Sequence, residues 1–225
     1  MTRAISILLC GLGLLLAGVP AQAQTPPSLG ELAAYSGLHR AASLGDATAV
    51  RTLLAQGADP KARDRSGRTP LHVAAFASQY DALRTLVAGG GGINALENDR
   101  YDVITIAAVK DDVPMVRLAL ELGGNPKLIT SRYDGTALIA AAHLGHERVV
   151  ETLIKAGAPL DHVNNLGWTA LIEAVILGDG GKRHRETARA LVSAGADRKI
   201  ADRSGVTPLQ HARQRGYHEM AVIVE

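Results

Sequence analysis

The segment Thr69-Pro70-Leu71-His72-Val73-Ala74-Ala75 has relatives along most of the chain, and they return at a nearly fixed beat. Upstream stands Ser36-Gly37-Leu38-His39-Arg40-Ala41-Ala42. Downstream stand Asp102-Val103-Ile104-Thr105-Ile106-Ala107-Ala108, Thr136-Ala137-Leu138-Ile139-Ala140-Ala141-Ala142, Thr169-Ala170-Leu171-Ile172-Glu173-Ala174-Val175 and Thr207-Pro208-Leu209-Gln210-His211-Ala212. The starts at 36, 69, 102, 136, 169 and 207 lie 33, 33, 34, 33 and 38 residues apart. A period of this length is the mark of a stacked-repeat architecture, and it governs every other reading of the chain.

A second motif keeps the same beat. Leu53-Leu54-Ala55-Gln56-Gly57-Ala58-Asp59 returns as Leu153-Ile154-Lys155-Ala156-Gly157-Ala158-Pro159 and as Leu191-Val192-Ser193-Ala194-Gly195-Ala196-Asp197, with weaker copies at Leu86 and Leu120. The physics of one unit follows. Thr caps the open N–H groups of a first helix, and Pro fits its first position. Leu-x-x-Ala-Ala is narrow, so neighbouring helices approach closely. A short turn such as Leu144-Gly145-His146 leads to a second helix through Val149, Val150, Leu153 and Ile154. Gly157 ends it, because glycine takes the left-handed cap at low cost. One helix pair cannot bury both its sides, so units must stack into an all-α repeat solenoid.

These units resemble ankyrin repeats, on the strength of Thr69-Pro70-Leu71-His72 with Ala74-Ala75 and of Gly57-Ala58-Asp59. The resemblance covers residues 36–225. It implies about six stacked helix pairs joined by β-hairpin fingers, with fingers and first helices forming a concave face that binds other proteins. It also implies that His39 and His72 use their rings for hydrogen bonds between units. Units start near 36, 69, 102, 136, 169 and 207; residues 24–35 complete an N-terminal cap, and 220–225 close the other end.

The departures carry information. Unit 3 opens with Asp102, has Arg100 where other fingers have Gly67, Gly167 and Gly205, and places Pro114 early in its second helix, so it is expected to be the least stable. The run Gly89 to Gly92 suggests a loose joint. Unit 5 carries five extra residues, Asp179 to Arg183, between its helices.

The first 23 residues read as an export signal. Arg3 precedes an apolar run from Ala4 to Val19, and Ala21 and Ala23 suit cleavage after Ala23. Cys10, the single cysteine, is lost with it, so neither a disulfide nor a Cys-rich metal site is expected. The remaining chain is expected in the periplasm, or secreted, as a monomer with no membrane contact. The balance of 24 Lys+Arg against 22 Asp+Glu and an aromatic content of 3% leave little to grip or stack on nucleic acid.

No catalytic pattern emerges: no serine sits in a Gly-x-Ser-x-Gly elbow, and the glycine run lies in the wrong context for a phosphate loop. His143 and His146 stand three apart, but no third ligand has a fixed spacing to them, so no metal or cofactor is expected. The candidates are for binding. The position after the Ala-Ala pair holds Ser43, Phe76, Val109, His143 and Ile176, which either pack between helices or present contact surface. The fingers add Arg68, Arg100, Tyr101, Arg132, Tyr133 and Trp168; Tyr and Arg are the residue types that dominate binding hot spots, while Trp168 also suits packing at the finger base. Lys182, Arg183, Arg185 and Arg189 form the one basic cluster, either a solvated surface or a contact for an acidic partner. The chain is therefore expected to be a non-enzymatic module for a protein partner, a scaffold or stabiliser, or else an immunity-type inhibitor. A small hydrolase or metal protein is the weaker reading.

Overall fold

The computed structural model describes residues 24–225. The export-signal reading of residues 1–23, Cys10 included, lies outside the described residues. A short helix, α1 (Leu29–Ala34), precedes six helix pairs: α2 (Gly37–Leu44) with α3 (Ala47–Ala55), α4 (Pro70–Phe76) with α5 (Tyr80–Ala88), α6 (Val103–Val109) with α7 (Val113–Glu121), α8 (Ala137–His143) with α9 (Glu147–Lys155), α10 (Ala170–Ile176) with α11 (Lys182–Ser193), and α12 (Pro208–Gln214) with α13 (His218–Val224). The first helices pack on one another in chain order to make one row, α2 on α4 through to α10 on α12. The second helices make the other row, α3 on α5, α7 on α9, α9 on α11 and α11 on α13.

Small residues set the spacing. Ala42, Ala74, Ala75, Ala107, Ala108, Ala141, Ala142 and Ala174 have no exposed surface, so the first helices meet almost backbone to backbone. Leu71, Ile104, Leu138 and Leu171, one per unit at the same repeat position, fill the space between the rows. The core is continuous from Leu38 to Val224, as a stack in which each unit contacts its neighbours requires.

The helix starts follow the capping logic. Thr136 and Thr169 accept the N–H of Ile139 and Ile172. In unit 2 the Thr69 N–H donates to His72 Nδ1 at 3.0 Å, so Nε2 carries the ring proton and donates to the Ala95 carbonyl at 2.9 Å in the next finger. His39 Nε2 likewise bonds the Arg68 carbonyl at 2.9 Å. Both histidines tie unit to unit, and burial pushes His72 down to about 4.

Three local features differ from the sequence expectations. The fingers are closed turns rather than strand pairs: among the described residues there is one isolated antiparallel bridge, Thr130 with Gly135. In the others one main-chain bond closes a loop of five residues, for example Asp64 N–H to the Arg68 carbonyl and Asn164 N–H to the Trp168 carbonyl. A loop that short leaves no length for a ladder. The glycine run is a tight joint, not a loose one. A Cβ on Gly89 would sit 2.5 Å from Leu54 Cδ1, and one on Gly91 would sit 2.8 Å from the Leu86 carbonyl oxygen, while Gly90 has φ +92°. The extra residues of unit 5 make a loop over 177–181 and add a turn to α11, which at 12 residues is longer than the nine of α9.

Unit 3 absorbs two of its departures. Pro114 lies in the first turn of α7, where its missing N–H costs nothing. Asp102 accepts the Thr105 N–H at 2.8 Å as the cap of α6. The cap is 1% exposed, and burial outweighs the Thr105 hydrogen bonds to hold its carboxyl above the ordinary range. Arg100 takes φ +66°, a conformation that costs a side-chain-bearing residue about 1 kcal/mol more than glycine. Asp134 carries the same cost at the matching position of unit 4, with φ +51°, so it is the buried Asp102 carboxylate that should make unit 3 the first to open. Native-state hydrogen exchange is expected to show the amides of α6 and α7 exchanging before those of α4, α5, α8 and α9. Slower exchange in unit 3 would show that its finger contacts outweigh both costs.

Candidate functional site

The last turn of each first helix ends at one edge of its row. Two successive repeat positions there hold Ser43 and Leu44, Phe76 and Ala77, Val109 and Lys110, His143 and Leu144, Ile176 and Leu177, and Gln214 and Arg215. None of the twelve is acidic. Phe76, Val109, His143 and Ile176 are all half-buried, so each divides its surface between packing and solvent; Phe76 rests against the core. The next position is the more open. Leu44 is 66% exposed, Leu177 40% and Leu144 36%, which places branched aliphatics in water at matching positions of three units. The leucines carry the same signal as Phe76 and Val109 in the sequence, one residue further along.

The fingers are ordered by their own polar groups. Asp64 and Asp202 each accept two main-chain N–H groups at the finger base, Asn164 does the same in unit 5, and Glu97 accepts the Tyr101 N–H. Gly67, Gly167 and Gly205 take left-handed conformations, with Arg100 and Asp134 at the matching positions. The fingers that lead into units 3 and 4 are bound by a crossed pair of ion pairs: Arg100 to Asp134 at 2.6 Å and Arg132 to Asp99 at 2.6 Å. The Ser131 N–H adds a bond to the Arg100 carbonyl. Tyr101 and Tyr133 lie beside these pairs, both half-buried, and burial raises the Tyr101 phenol. Trp168 is also half-buried, at the base of its finger.

Arg68 occupies the repeat position of Tyr101 and Trp168, yet it is 2% exposed. Its guanidinium is held by Asp64 at 2.8 Å, by Glu31 of α1 and by Ser66, and Tyr35 donates to the same Asp64 at 2.7 Å. Burial followed by this hydrogen bond drives the Tyr35 phenol far up. The segment 24–35 thus covers the first finger and removes Arg68 from any contact surface.

His143 is placed by a group that the sequence reading passed over. Its Nδ1 lies 3.0 Å from Glu173 Oε2, and Glu173 Oε1 accepts the Asn164 amide at 2.8 Å. Glu173 is 5% exposed, so the ring is held through Nδ1 by a buried group. The signal was an acid at the position where units 2 and 3 have Val73 and Ile106. Side chains at the start of each later turn reach back to a preceding helix end. Lys110 donates to the Phe76 carbonyl, His146 meets the Ala108 carbonyl, His184 meets that of His143, and Tyr217 donates to that of Gly178. These histidines cap helices. No group of three or more potential metal ligands occurs among the described residues.

The basic cluster is largely taken up within the chain. Arg183 pairs with Asp111 at 3.3 Å, Arg185 with Glu219 at 2.9 Å and Arg189 with Glu186 at 2.7 Å; Lys182 makes no ion pair among the described residues, and Arg183 and Arg189 stay exposed in theirs. The cluster lies at the start of α11, in the second row, where Arg183 and His184 reach the main chain on either side of Leu144.

Known proteins carry the same pattern. A family model described as ankyrin repeats, three copies, matches residues 12–99, 38–130 and 104–202. The chain is 33% identical over 185 residues to the ankyrin repeat protein YahD of Escherichia coli, covering 82% of this chain and 92% of that one. Among solved structures, an ankyrin repeat domain from Acinetobacter baumannii superposes with a TM-score of 0.78 at 42% identity, covering 83% of this chain and 95% of that one. The structure of a predatory endopeptidase from Bdellovibrio bacteriovorus in complex with an immunity protein contains a chain with a TM-score of 0.72 at 23% identity, covering 84% of this chain and 97% of that one, a likeness of fold alone.

Proposed function

Because this chain belongs to the ankyrin-repeat family, we propose that it is a non-enzymatic module that binds a protein partner across the fingers and the exposed ends of its first helices. The observation that carries this is the row of solvent-facing aliphatics, Leu44, Leu144 and Leu177, beside half-buried Phe76, Val109 and Ile176. Branched side chains kept in water at matching positions are what an interface core requires. The apolar run of residues 4–19 and the small residues before Gln24 support work in the periplasm after removal of residues 1–23. Scaffolding or stabilising a periplasmic protein is the primary reading. The Bdellovibrio complex brings a second to mind, inhibition of an incoming enzyme.

The test is capture from an extract of the source organism by the immobilised chain and by a Leu144→Lys, Leu177→Lys variant. These leucines are better probes than Phe76, whose ring also packs on the core. Surface changes of this kind alter stability by no more than about 0.5 kcal/mol, so the two proteins should melt together. A partner held by the parent and reduced at least about tenfold in the variant is the expected result, for a contact worth about 1.4 kcal/mol or more. Equal retention by both would remove the helix-end row from the interface. If the captured protein is an enzyme, unchanged activity supports the scaffold and suppressed activity the inhibitor. Recovery of the chain from the periplasmic fraction with Gln24 as its first residue would support export; recovery from the cytoplasm at full mass would oppose it.

A further inference from the structure

The fingers spend their acids and keep their cations. Within the five finger tips, residues 63–68, 96–101, 130–135, 163–168 and 201–206, every carboxylate is engaged by the chain itself. Asp64 holds Arg68 and Tyr35, Glu97 holds the Tyr101 N–H, Asp99 and Asp134 hold the crossed arginines, and Asp202 holds His211 at 2.8 Å. The cations are not matched in the same way. Arg63 and Arg203 are exposed and donate to main-chain carbonyls, which leaves their charge uncancelled, and Arg65 makes no ion pair among the described residues. The first helices continue the asymmetry. Arg40 and Arg215 are exposed without a carboxylate partner among the described residues, and the one acid on those helices, Glu173, is buried against His143 and Asn164. Exposed arginines without a carboxylate partner thus stand toward both ends of the stack, Arg40, Arg63 and Arg65 at one and Arg203 and Arg215 at the other, and with Leu44, Leu144 and Leu177 they mark a surface along the fingers and first helices.

We infer that this face takes an acidic, aliphatic-centred peptide segment of a partner protein. Leu44, Leu144 and Leu177 bury its apolar side chains, and Arg65, Arg203 and Arg215 meet its carboxylates at the rim. The inference rests on the protein-binding reading above and adds the chemistry of the partner. Opposite charge at a rim steers the encounter and rejects wrong partners, while the apolar centre supplies affinity. A nucleic acid would satisfy the cations but not the leucines, and the face offers few rings on which bases could stack.

The test is selection of random peptides of about 16 residues, which when extended span roughly 50 Å, on the purified full chain. Two variants run in parallel: Leu144→Lys with Leu177→Lys, and Arg65→Glu with Arg203→Glu and Arg215→Glu. Enriched peptides are expected to carry aliphatics and at least twice the library content of Asp and Glu. Their affinity should fall about tenfold between 50 and 300 mM salt, over which screening shortens the reach of exposed charges. Both variants should lose them, and the charge-reversed one should select basic peptides instead. Peptides that need the leucines but are neutral or basic, and indifferent to the arginines, would overturn the acidic partner and leave the binding module standing. No enrichment at all would overturn both. A DNA duplex of about 20 base pairs that displaces the selected peptides at equal concentration would also overturn it, by showing the face to be a phosphate-binding surface.

Discussion

Replacing Arg68 with alanine is expected to cost about 3–5 kcal/mol, the range found when one partner of a buried ion pair is removed and the other is left behind. Arg68 is 2% exposed, and it is where α1, the first finger and unit 2 meet. Without the guanidinium, Asp64 keeps the Tyr35 hydroxyl and two main-chain N–H groups but loses its cation, and Glu31 loses the contact that fastens α1 to the finger. A change of that size lowers the melting temperature of a chain this long by about 10 °C. In a stack the loss is local first, because each unit contacts only its neighbours. Hydrogen exchange should therefore show α1 to α3 released while α8 to α11 keep their protection. Arg68→Lys retains the charge without the fork that reaches Asp64, Glu31 and Ser66 together, and should recover less than half of the loss. A melting temperature for Arg68→Ala within 2 °C of the parent would show that the network contributes little.

The second large effect is a loss of stability in mild acid through His72. Burial holds its folded value down to about 4, against about 6.5 for the unfolded chain. The hydrogen bonds to Ala95 and Tyr101 pull in the opposite direction, as does Asp64, while Arg63 adds to the depression. Between pH 4 and 6.5 the unfolded chain binds a proton that the folded chain refuses. The contribution is thus complete above 6.5 and is lost as pH falls through 4, for a total of roughly 3 kcal/mol. Urea midpoints at pH 7 and 4.5 measure it. His72→Gln is the informative variant, because Gln210 holds the same repeat position in unit 6 and closes its own cap on Thr207. That variant should be less stable at pH 7 and fall less between the two pH values. An equal fall in both proteins would assign the acid sensitivity elsewhere. Asp102 does not contribute to it: its carboxyl is raised by burial, so it loses stability as pH increases rather than as it decreases.

The repeat was legible because its physics is local. A Thr cap, a pair of alanines and a closing glycine each act within one turn of helix, so their spacing in the chain is their spacing in space. What failed to show depends on residues one or two units away. The glycine at 89 read as slack, but Leu54 in the previous unit occupies the space a side chain would need. The cluster at 182–189 read as a solvated surface or a contact for an acidic partner, and its spacing gave no sign of Asp111, 72 residues before Arg183, which pairs with one of its arginines. The finger arginines Arg100 and Arg132 looked alike in sequence, and no spacing rule announces that their acids sit crosswise on each other's fingers. Glu173 was visible as an acid in an apolar position, but its purpose required knowing that His143, in the preceding unit, stands before it.

The side chains that reach back to the preceding helix give the stack a direction. Lys110, His146 and His184 each meet a carbonyl in the last turn of a first helix made earlier in the chain, and Tyr217 meets the Gly178 carbonyl just past α10. As the chain folds, a unit keeps that end open until its successor has folded against it. A chain cut short at its carboxyl end therefore loses the last unit and unseals the one before it.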